Sequence, residues 1–459
     1  MADFSLTEIL KATGGRLINA KGNKMFKGVS TDTRNIQPGN LFVALVGERF
    51  DGNEFAGQAA ERGATGVIAS KSVTVPEDVT VIEVENTLIA LQQLARFHRE
   101  RFTIPVIAVT GSNGKTTTKD MLAAVLGSRF KVLKTEANFN NEIGLPLTLL
   151  KLEQSHEAAV VEMGMRARGE IQELAEIALP TVGVVTNVGE THMEILGSLD
   201  NIAAAKAELV EAIGHDNLVI LNADNPYVLA MQNKTRGKVV LYGLNPGASV
   251  RAENIVSGEN GQLVTRFDCL SARGSVSIVL HAVGIHNVYN ALAAIAVGWE
   301  LGLKLSELQA GIASFVPGAM RLEVQKYGEY TVVNDVYNAS PLSMTAALDT
   351  LASISQGRRI AVLGDMLELG EAAIEAHHKI GKIAAEKGIE VLLTVGKLAK
   401  HIADAAREHG IKEVQAFAGH KEAIEALRSI IKPGDYILFK GSRGMKMETM
   451  LETFKDISL

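Results

Sequence analysis

Short runs of apolar and β-branched residues alternate along this chain with longer segments in which apolar residues recur at helical spacing. The runs of strand length lie at residues 41–45, 67–69, 79–84, 106–110, 158–162, 181–186, 219–222, 331–334, 359–363, 391–395 and 436–439. Because strands that alternate with helices form parallel sheets covered by helices, the expected fold class is α/β.

The pattern divides into three predicted domains. Residues 1–103 predict a small α/β unit, and residues 104–315 predict a central parallel sheet with a β-rich insertion near 236–282. Residues 316–459 predict a Rossmann-like, doubly wound sheet. A chain of 459 residues is too long for a single core, which agrees with this division.

The strongest chemical signal follows the strand predicted at 106–110. The turn and the helix start after it contain Gly111, Ser112, Asn113, Gly114, Lys115, Thr116 and Thr117. Glycines let backbone N–H groups curl around an anion, and a helix N-terminus adds its positive dipole end. The lysine is placed to reach terminal phosphates, and the first threonine to face Mg²⁺. Since the usual P-loop has a glycine where this chain has Val109, we predict a shortened P-loop that binds a nucleotide.

Two further polar residues follow predicted strands of the same domain. Glu162 ends the strand at 158–162, and His192 lies in the loop after the strand at 181–186. Such sheets bind ligands at the carboxyl ends of their strands, where both residue types could hold a divalent cation beside the phosphates. Taken singly, each has an equally good structural explanation, as a capping or ion-paired carboxylate and as a loop histidine.

Three candidates lie on predicted helices. Asn287 and Asn290 are three residues apart and share one helical face, and their amides can pair with the edge of a base. Capping of the helix start is the alternative for this pair. Lys206 stands alone among alanines on the helix predicted at 199–213, where a solvated surface lysine is the ordinary expectation.

Two loops of the first domain each carry an arginine, Arg34 in the first and Arg49 in the second. Because a guanidinium group forms paired hydrogen bonds with phosphate, a pocket between these loops could hold a nucleotide diphosphate. Ordinary solvated loops remain the alternative.

Composition narrows the choice of partners. The net charge of −6 gives no basic field, so nucleic acid is not expected as a main partner. A single cysteine, Cys269, excludes an internal disulfide framework and fits a reducing cytoplasm. We find no secretory signal and no apolar stretch near the roughly 18 residues that a membrane helix needs. A cytoplasmic protein is therefore expected.

These motifs together resemble the Mur ligase family of peptidoglycan synthesis. The loop at 110–116 looks like that family's ATP loop, which also lacks the first P-loop glycine. The resemblance covers nearly the whole chain and rests further on the stretches 30–34, 41–52, 138–144, 334–341, 364–370 and 440–444. Within the family, these stretches favour a ligase that joins D-alanyl-D-alanine to UDP-N-acetylmuramoyl-tripeptide.

The resemblance implies a reaction and its cofactors. ATP phosphorylates the terminal carboxylate of the tripeptide, and the amine of D-alanyl-D-alanine attacks the acyl phosphate. The tetrahedral intermediate collapses to an amide and phosphate, while the protein positions the reactants and neutralises charge. Two Mg²⁺ ions are implied, and the protein is expected to act as a monomer. Closure of the third domain through a hinge near Arg321 is predicted.

The resemblance also implies roles for individual residues around ATP. Lys115, Lys206, His192 and Glu162 are the implied catalytic residues. Thr116, Glu162 and His192 form the implied Mg²⁺ neighbourhood, and Lys206, carbamylated by CO2, would help to hold a second ion. Asn287 and Asn290 correspond to adenine contacts, Arg321 to a phosphate contact and Asp335 to an acid near the ribose.

Substrate-binding residues follow from the same resemblance. The first domain would hold the UDP end of the substrate, and the third domain the dipeptide. The implied substrate-binding residues are Ser30, Asp32, Thr33, Arg34, Arg49, Phe50, Asn138 and Asn141, and for the dipeptide Asn338, Asp365 and Arg443.

Other functions remain open at this point. A sister ligase that adds a single amino acid, or a folate polyglutamate synthetase, would share the fold. A nucleotide-dependent switch protein would hydrolyse ATP or GTP without an acceptor, and a small-molecule kinase would release no inorganic phosphate. The guanine-specific Asn-Lys-x-Asp stretch of many switch proteins is absent from the sequence.

Overall fold

A computed structural model describes residues 2–19, 21–258 and 263–458, the last three as backbone only. Within those ranges the strands form main sheets of five, nine and six strands, together with two two-stranded pairs. Each main sheet comes from one successive stretch of the chain, so three α/β units follow one another, and the expected fold class is confirmed. Among the described helices, none combines the length and the apolar character that a membrane span requires.

The first unit is built on a five-stranded sheet with the order β2-β9-β8-β5-β4. Its elements are β1 (Asp3–Ser5), α1 (Leu6–Thr13), β2 (Arg16–Asn19), β3 (Met25–Lys27), β4 (Val29–Ser30), β5 (Leu41–Val43), β6 (Val46–Gly47), β7 (Phe50–Asp51), α2 (Ala56–Glu61), β8 (Gly66–Ala69), β9 (Thr80–Glu83) and α3 (Thr87–Arg99). Only β2 runs antiparallel to its neighbour in this sheet. The N-terminus of α1 is closed by a capping box between Ser5 and Glu8.

Helix α3 attaches the first unit to the second. The buried guanidinium of Arg99 donates to the carbonyl oxygens of Ala178 at 3.0 Å and Leu179 at 3.2 Å, both in the second unit. His98 lies beside it, with Nε2 3.0 Å from the Leu152 carbonyl and Nδ1 3.3 Å from an Arg101 nitrogen. Because arginine can only donate, the His98 ring is neutral, with its proton on Nε2.

Acid should destabilise this contact. Burial, opposed by the hydrogen bond to Leu152, lowers the pKa of His98 from 6.5 to about 4. Between those values the unfolded chain binds a proton that the folded chain does not, so stability falls as pH falls through this window. The loss should reach roughly 3 kcal/mol near pH 4. Urea unfolding across this range should show a steeper pH dependence for the native chain than for His98→Gln, and equal slopes would contradict this assignment.

The second unit carries the nine-stranded sheet, in the order β11-β12-β10-β13-β14-β15-β16-β17-β18. Its strands are β10 (Val106–Thr110), β11 (Val132–Lys134), β12 (Ala158–Glu162), β13 (Val182–Val185), β14 (Leu218–Asn222), β15 (Lys238–Gly243), β16 (Val250–Ser257), β17 (Thr265–Ser271) and β18 (Gly274–Leu280). Its helices are α4 (Lys115–Gly127), α5 (Gly144–Leu149), α6 (Glu170–Ala178), α7 (Met193–Leu196), α8 (Leu199–Glu211), α9 (Pro226–Ala230), α10 (Ile285–Glu300) and α11 (Leu305–Ala313).

The segment expected as a β-rich insertion at 236–282 instead continues the central sheet. β15 pairs parallel with β14, and β16 to β18 extend the same sheet, with antiparallel pairing between the last three strands. The reason is packing: Val240, Phe267 and Ile278 share one buried cluster with residues of the almost wholly buried helix α10. The sheet is therefore parallel at its centre and antiparallel at one edge.

The third unit carries the six-stranded sheet, in the order β19-β20-β24-β21-β22-β23. Its elements are β19 (Glu323–Tyr327), β20 (Tyr330–Asp335), α12 (Pro341–Ile354), β21 (Arg359–Gly364), α13 (Ala373–Glu386), β22 (Val391–Val395), α14 (Ala399–Glu408), β23 (Glu413–Phe417), α15 (His420–Ile430), β24 (Tyr436–Lys440) and α16 (Met447–Ser458). All pairings except the β19–β20 hairpin are parallel, and buried clusters cover both faces of the sheet.

Candidate active site

A cavity of about 1130 Å³ lies between the second and third units. The second unit contributes the carboxyl ends of β10, β12 and β13 with the loops that follow them. The third contributes the last residues of β20 and β24 and the segment that follows β20. All lining residues lie between positions 112 and 440. This is the edge where parallel sheets bind ligands.

The loop after β10 is shaped to hold an anion. Gly111 has φ +150°, and a Cβ there would lie 1.9 Å from the Thr186 hydroxyl oxygen, so only glycine fits. The loop is held from the side by Asn187, whose side-chain oxygen accepts from the Asn113 N–H at 2.9 Å. Helix α4 begins at Lys115, and the first-turn N–H groups of a helix have no partner within it. These groups are therefore available to phosphate oxygens.

Lys115 folds back over this loop. Its Nζ donates to the Gly111 carbonyl at 2.7 Å and lies 3.4 Å from the Ser112 carbonyl. Burial lowers the pKa of Lys115, with the charge of Glu162 raising it and that of Arg321 lowering it further. A cation in this position meets the incoming triphosphate with little water to screen it.

Lys206 is buried, and the expectation of a solvated surface lysine is wrong. Its side chain projects from α8 into the same cavity and is only 1% exposed. Among the described residues it has no hydrogen bond or ion pair. Burial, and then the charge of Lys115, hold the pKa of the Lys206 amine well below its usual value. The amine is therefore a neutral nucleophile at a lower pH than an ordinary lysine.

Glu162 and His192 both line the cavity, as does Thr116. Glu162 is 2% exposed; its Oε1 accepts from the Asn140 amide at 2.8 Å, while its buried Oε2 has no hydrogen bond. The Nδ1 of His192 lies 2.7 Å from Oε2 of Glu368, and this hydrogen bond lowers the pKa of the Glu368 carboxyl. Within the described part of the chain, no three His, Cys, Asp or Glu side chains form a ready metal site. A cation here would need phosphate oxygens as additional ligands.

The two asparagines of α10 lie directly under the phosphate loop. A Cβ on Gly114 would approach the Asn290 side-chain oxygen to 2.7 Å. That oxygen accepts from the Thr118 hydroxyl at 3.1 Å, and the Asn290 amide donates to Asn287 at 3.2 Å. Neither asparagine caps the helix, since its N-cap is Gly284. The pair therefore shares one face and lines the cavity, as the spacing predicts.

The third unit closes the far side of the cavity. Asp335 and Lys440 are paired in register at the ends of β20 and β24, and the buried Lys440 Nζ donates to the Asp335 carboxylate. Arg321 lies over the Tyr337 ring at 3.9 Å from its centroid. The Ser340 hydroxyl donates to the Asn113 side-chain oxygen at 2.9 Å, so this unit touches the phosphate loop directly.

The remaining third-unit candidates have different positions. Asn338 lines the cavity, and its side-chain oxygen accepts from the Arg443 N–H at 3.2 Å. Asp365 does not line the cavity, because its carboxylate accepts from the Ala399 N–H at 2.7 Å and caps α14. Arg443 lies outside the lining and pairs with Glu448 at 3.1 Å. The structure therefore gives Asp365 a structural role at the start of α14, and its contact with the dipeptide stays a prediction.

The first-unit candidates lie apart from this cavity, while Asn138 and Asn141 line it. The separate group comprises Ser30, Asp32, Thr33, Arg34, Arg49 and Phe50. The guanidinium of Arg34 is paired within its own loop, with Nη2 2.7 Å from the Asp32 carboxylate, and the Phe50 ring is more than half exposed. Any nucleotide site in this unit is therefore separate from the phosphate loop.

Sequence reasoning missed Tyr337 and Lys440 as cavity residues, and it missed Ser340, which contacts Asn113 of the phosphate loop without lining the cavity. Lys440 directly follows the strand predicted at 436–439, at the edge of the sheet where Glu162 ends its own strand, and that position was a usable signal. Its pairing with Asp335 depends on the strand order of the third sheet, which places β24 next to β20 although about a hundred residues separate them in sequence.

Comparison with known proteins gives consistent matches over the whole chain. Three family descriptions match in succession: "Mur ligase family, catalytic domain" at residues 25–99, "Mur ligase middle domain" at 109–298 and "Mur ligase, glutamate ligase domain" at 320–443. A Bacillus subtilis (strain 168) protein named UDP-N-acetylmuramoyl-tripeptide–D-alanyl-D-alanine ligase is 40% identical over 457 residues, covering 98% of each chain.

Two solved structures are also similar. One crystal structure of MurF from Acinetobacter baumannii superposes with a TM-score of 0.92 at 31% identity over 99% of both chains. MurF ligase from Thermotoga maritima in complex with ADP superposes with a TM-score of 0.84 at 28% identity, over 94% of this chain and 98% of that one.

Proposed function

This chain belongs to the Mur ligase family, and from that premise we propose that it joins D-alanyl-D-alanine to UDP-N-acetylmuramoyl-tripeptide. The reaction consumes ATP and yields the pentapeptide precursor of peptidoglycan, ADP and phosphate. The proposal rests on one observation: the phosphate loop, the buried Lys206 and residues of the third unit all line the same cavity. A ligase needs such a cavity, because nucleotide, acid and amine must meet there.

The second unit binds ATP. The free first-turn amides of α4 and the ammonium of Lys115 meet the triphosphate, and Arg321 approaches it from the third unit. The adenine lies toward Asn287 and Asn290, whose position under the loop supports this assignment. Asp335 lies on the same cavity wall as Arg321 and is our candidate for the ribose.

The chemistry is phosphoryl transfer followed by acyl transfer. A carboxylate oxygen of the tripeptide attacks the γ-phosphorus, and the bond from phosphorus to the ADP oxygen breaks. The dipeptide amine then attacks the acyl carbon, loses a proton, and expels inorganic phosphate. Negative charge grows on oxygens in both steps, so the cationic groups of Lys115 and Arg321 act as preorganised stabilisers.

We propose that Glu162, Thr116 and His192 hold Mg²⁺ together with phosphate oxygens of ATP. The buried Oε2 of Glu162 supports this, because it has no hydrogen bond and lies 4.0 Å from its ion-pair partner, the Lys119 Nζ. Such a carboxylate oxygen at a ligand cavity is an available ligand for a hard cation. When bound, the ion supplies charge neutralisation and fixes the orientation of the phosphates. The second ion is assigned to the neighbourhood of Lys206.

Carbamylation of Lys206 is part of the proposal. The neutral amine attacks CO2, a nitrogen–carbon bond forms, one carbon–oxygen π bond opens onto oxygen, and one proton leaves the nitrogen, so a neutral amine becomes an anionic carbamate. Three observations support this modification: Lys206 is buried, lacks a protein partner and has a lowered pKa. An unmodified ammonium would instead lie unpaired beside Lys115, which is costly in a buried site.

The other two units are assigned to the substrates. We assign residues 1–103 to the UDP end, residues 104–315 to ATP and residues 316–459 to D-alanyl-D-alanine. Asn338 supports the assignment of the third unit to the dipeptide, since it belongs to the third unit and lines the same cavity as the phosphate loop. The enzyme is proposed to act as a monomer in the cytoplasm.

The decisive test is mass spectrometry of the product from UDP-N-acetylmuramoyl-tripeptide, ATP and D-alanyl-D-alanine. The expected product carries both alanines, and ADP forms in equal amount. D-Alanine, L-lysine and diaminopimelate serve as control acceptors and should give no adduct. An adduct with a single amino acid would favour a sister ligase, and ADP release without any acceptor would favour a nucleotide switch.

A further inference from the structure

The loop between β21 and α13 reaches out of the third unit onto the central unit. Its residue Glu368 makes two contacts there. The Glu368 carboxylate Oε2 lies 2.7 Å from Nδ1 of His192, and its carbonyl oxygen accepts from the Glu194 N–H at 3.2 Å. His192 itself lines the cavity that contains the phosphate loop. A residue of one unit therefore contacts the candidate active-site histidine of another.

The two loops fit closely at this contact. Glu368 and His192 both have positive φ, +64° and +56°, which non-glycine residues rarely adopt. A Cβ on Gly370 would come within 3.1 Å of the Glu194 Cα. The match between the loops therefore fixes where the Glu368 carboxylate is presented.

The pair is unsuited to a stabilising role. The Glu368 side chain is 61% exposed, and exposed ion pairs contribute little to folding stability. A carboxylate that accepts from Nδ1–H does, however, fix the ring and tautomer of a histidine and leaves the Nε2 lone pair free for a ligand. The contact is therefore better explained by orientation of His192 than by stability.

We propose that Glu368 is a positioning residue that orients His192 only when the third unit is docked on the central unit. Docking of the third unit on the central unit then also brings the His192 ring into its oriented position in the cavity. The kinetic tests of this idea rest on the proposed ligase function.

The first test compares Glu368→Ala and Glu368→Gln with Glu371→Ala, a control that removes the same charge from an exposed residue three positions away. The alanine variant should lower kcat about tenfold, with KM for ATP and dipeptide nearly unchanged, because outer-sphere partners of histidine have effects of this size. The glutamine variant should recover most of kcat, since its side-chain oxygen accepts the same hydrogen bond. A Glu368→Ala enzyme no slower than the control, or no rescue by glutamine, overturns the proposal.

The second test asks whether Glu368 acts through His192. In a His192→Ala background, Glu368→Ala should cause no further loss of kcat, because the group that it orients is gone. An undiminished additional loss would mean that Glu368 acts elsewhere, and the proposal would be wrong.

The third test needs no catalysis. Histidine labelled with ¹⁵N, with the His192 signal assigned through His192→Ala, should show the Nδ1–H tautomer for His192 when Mg-ADP is bound. Glu368→Ala should lose this preference and Glu371→Ala should keep it. An Nε2–H tautomer in the native chain refutes the positioning role. A normal tautomer in a chain without ligase activity would refute the proposed function and leave the positioning role intact.

Discussion

Lys115→Ala should lower kcat for D-alanyl-D-alanine ligation about a thousandfold, the upper range for removal of one preorganised charge from a catalytic site. The Lys115 ammonium is held 2.7 Å from the Gly111 carbonyl, directly over the loop whose amides face the phosphates. Nothing else on α4 can replace it there, since Lys119 lies one turn further along and is directed at Asp120 and Glu162. Steady-state ADP release would measure the loss of kcat, and calorimetric titration with Mg-ADP would measure the loss of nucleotide affinity.

The matching control is Lys400→Ala, which removes an exposed lysine of α14 that does not line the cavity. This control should keep native kcat, and the melting temperatures of both variants should remain close to that of the native chain. If Lys115→Ala retains turnover within a few fold while folded, the nucleotide site assigned to this loop is wrong.

Much of the fold follows from local sequence. The apolar run of β10, the glycine turn and the helix after it are all determined by neighbouring residues, and they occur where expected. The Ser5–Glu8 capping box is likewise a contact between residues three apart. The order of strands in a sheet does not follow from local sequence, because it depends on pairing between residues that are distant in the chain. The continuation of the central sheet through β15 rests on its contact with β14 and on cover from α10, neither of which the local pattern reports.

The site residues also fall into those that local sequence predicts and those that depend on distant contacts. Lys115 and Asn290 follow from motif position and helical spacing. The alanines around Lys206 alone predict a surface lysine, and only the family resemblance places it in the site. Ile202 and Leu209, four residues before and three after it, are however fully buried. That spacing places Lys206 on the inward face of α8, and it was the available signal. The contact between His192 and Glu368 had no such signal, because it depends on how two units dock.

Lys206→Met should lower ligation kcat about a hundredfold, since it removes the group that we propose to be carbamylated while keeping a similar volume. Intact mass measurement in bicarbonate at alkaline pH should show the native chain heavier by one CO2 and the variant unmodified. The modification requires a neutral amine, and the lowered pKa of Lys206, caused by burial and then by the charge of Lys115, makes the neutral form available at a lower pH than in an ordinary lysine.

Removal of CO2 separates the modification from a direct role of the amine. In degassed buffer the native enzyme should lose activity and regain it when bicarbonate is added, whereas Lys206→Met should not respond to bicarbonate. If the native enzyme is equally active with and without CO2 but Lys206→Met is inactive, the amine itself acts and carbamylation is excluded. If Lys206→Met keeps native turnover, the buried lysine has no part in the reaction, because neither its charge nor its carbamate would then be needed.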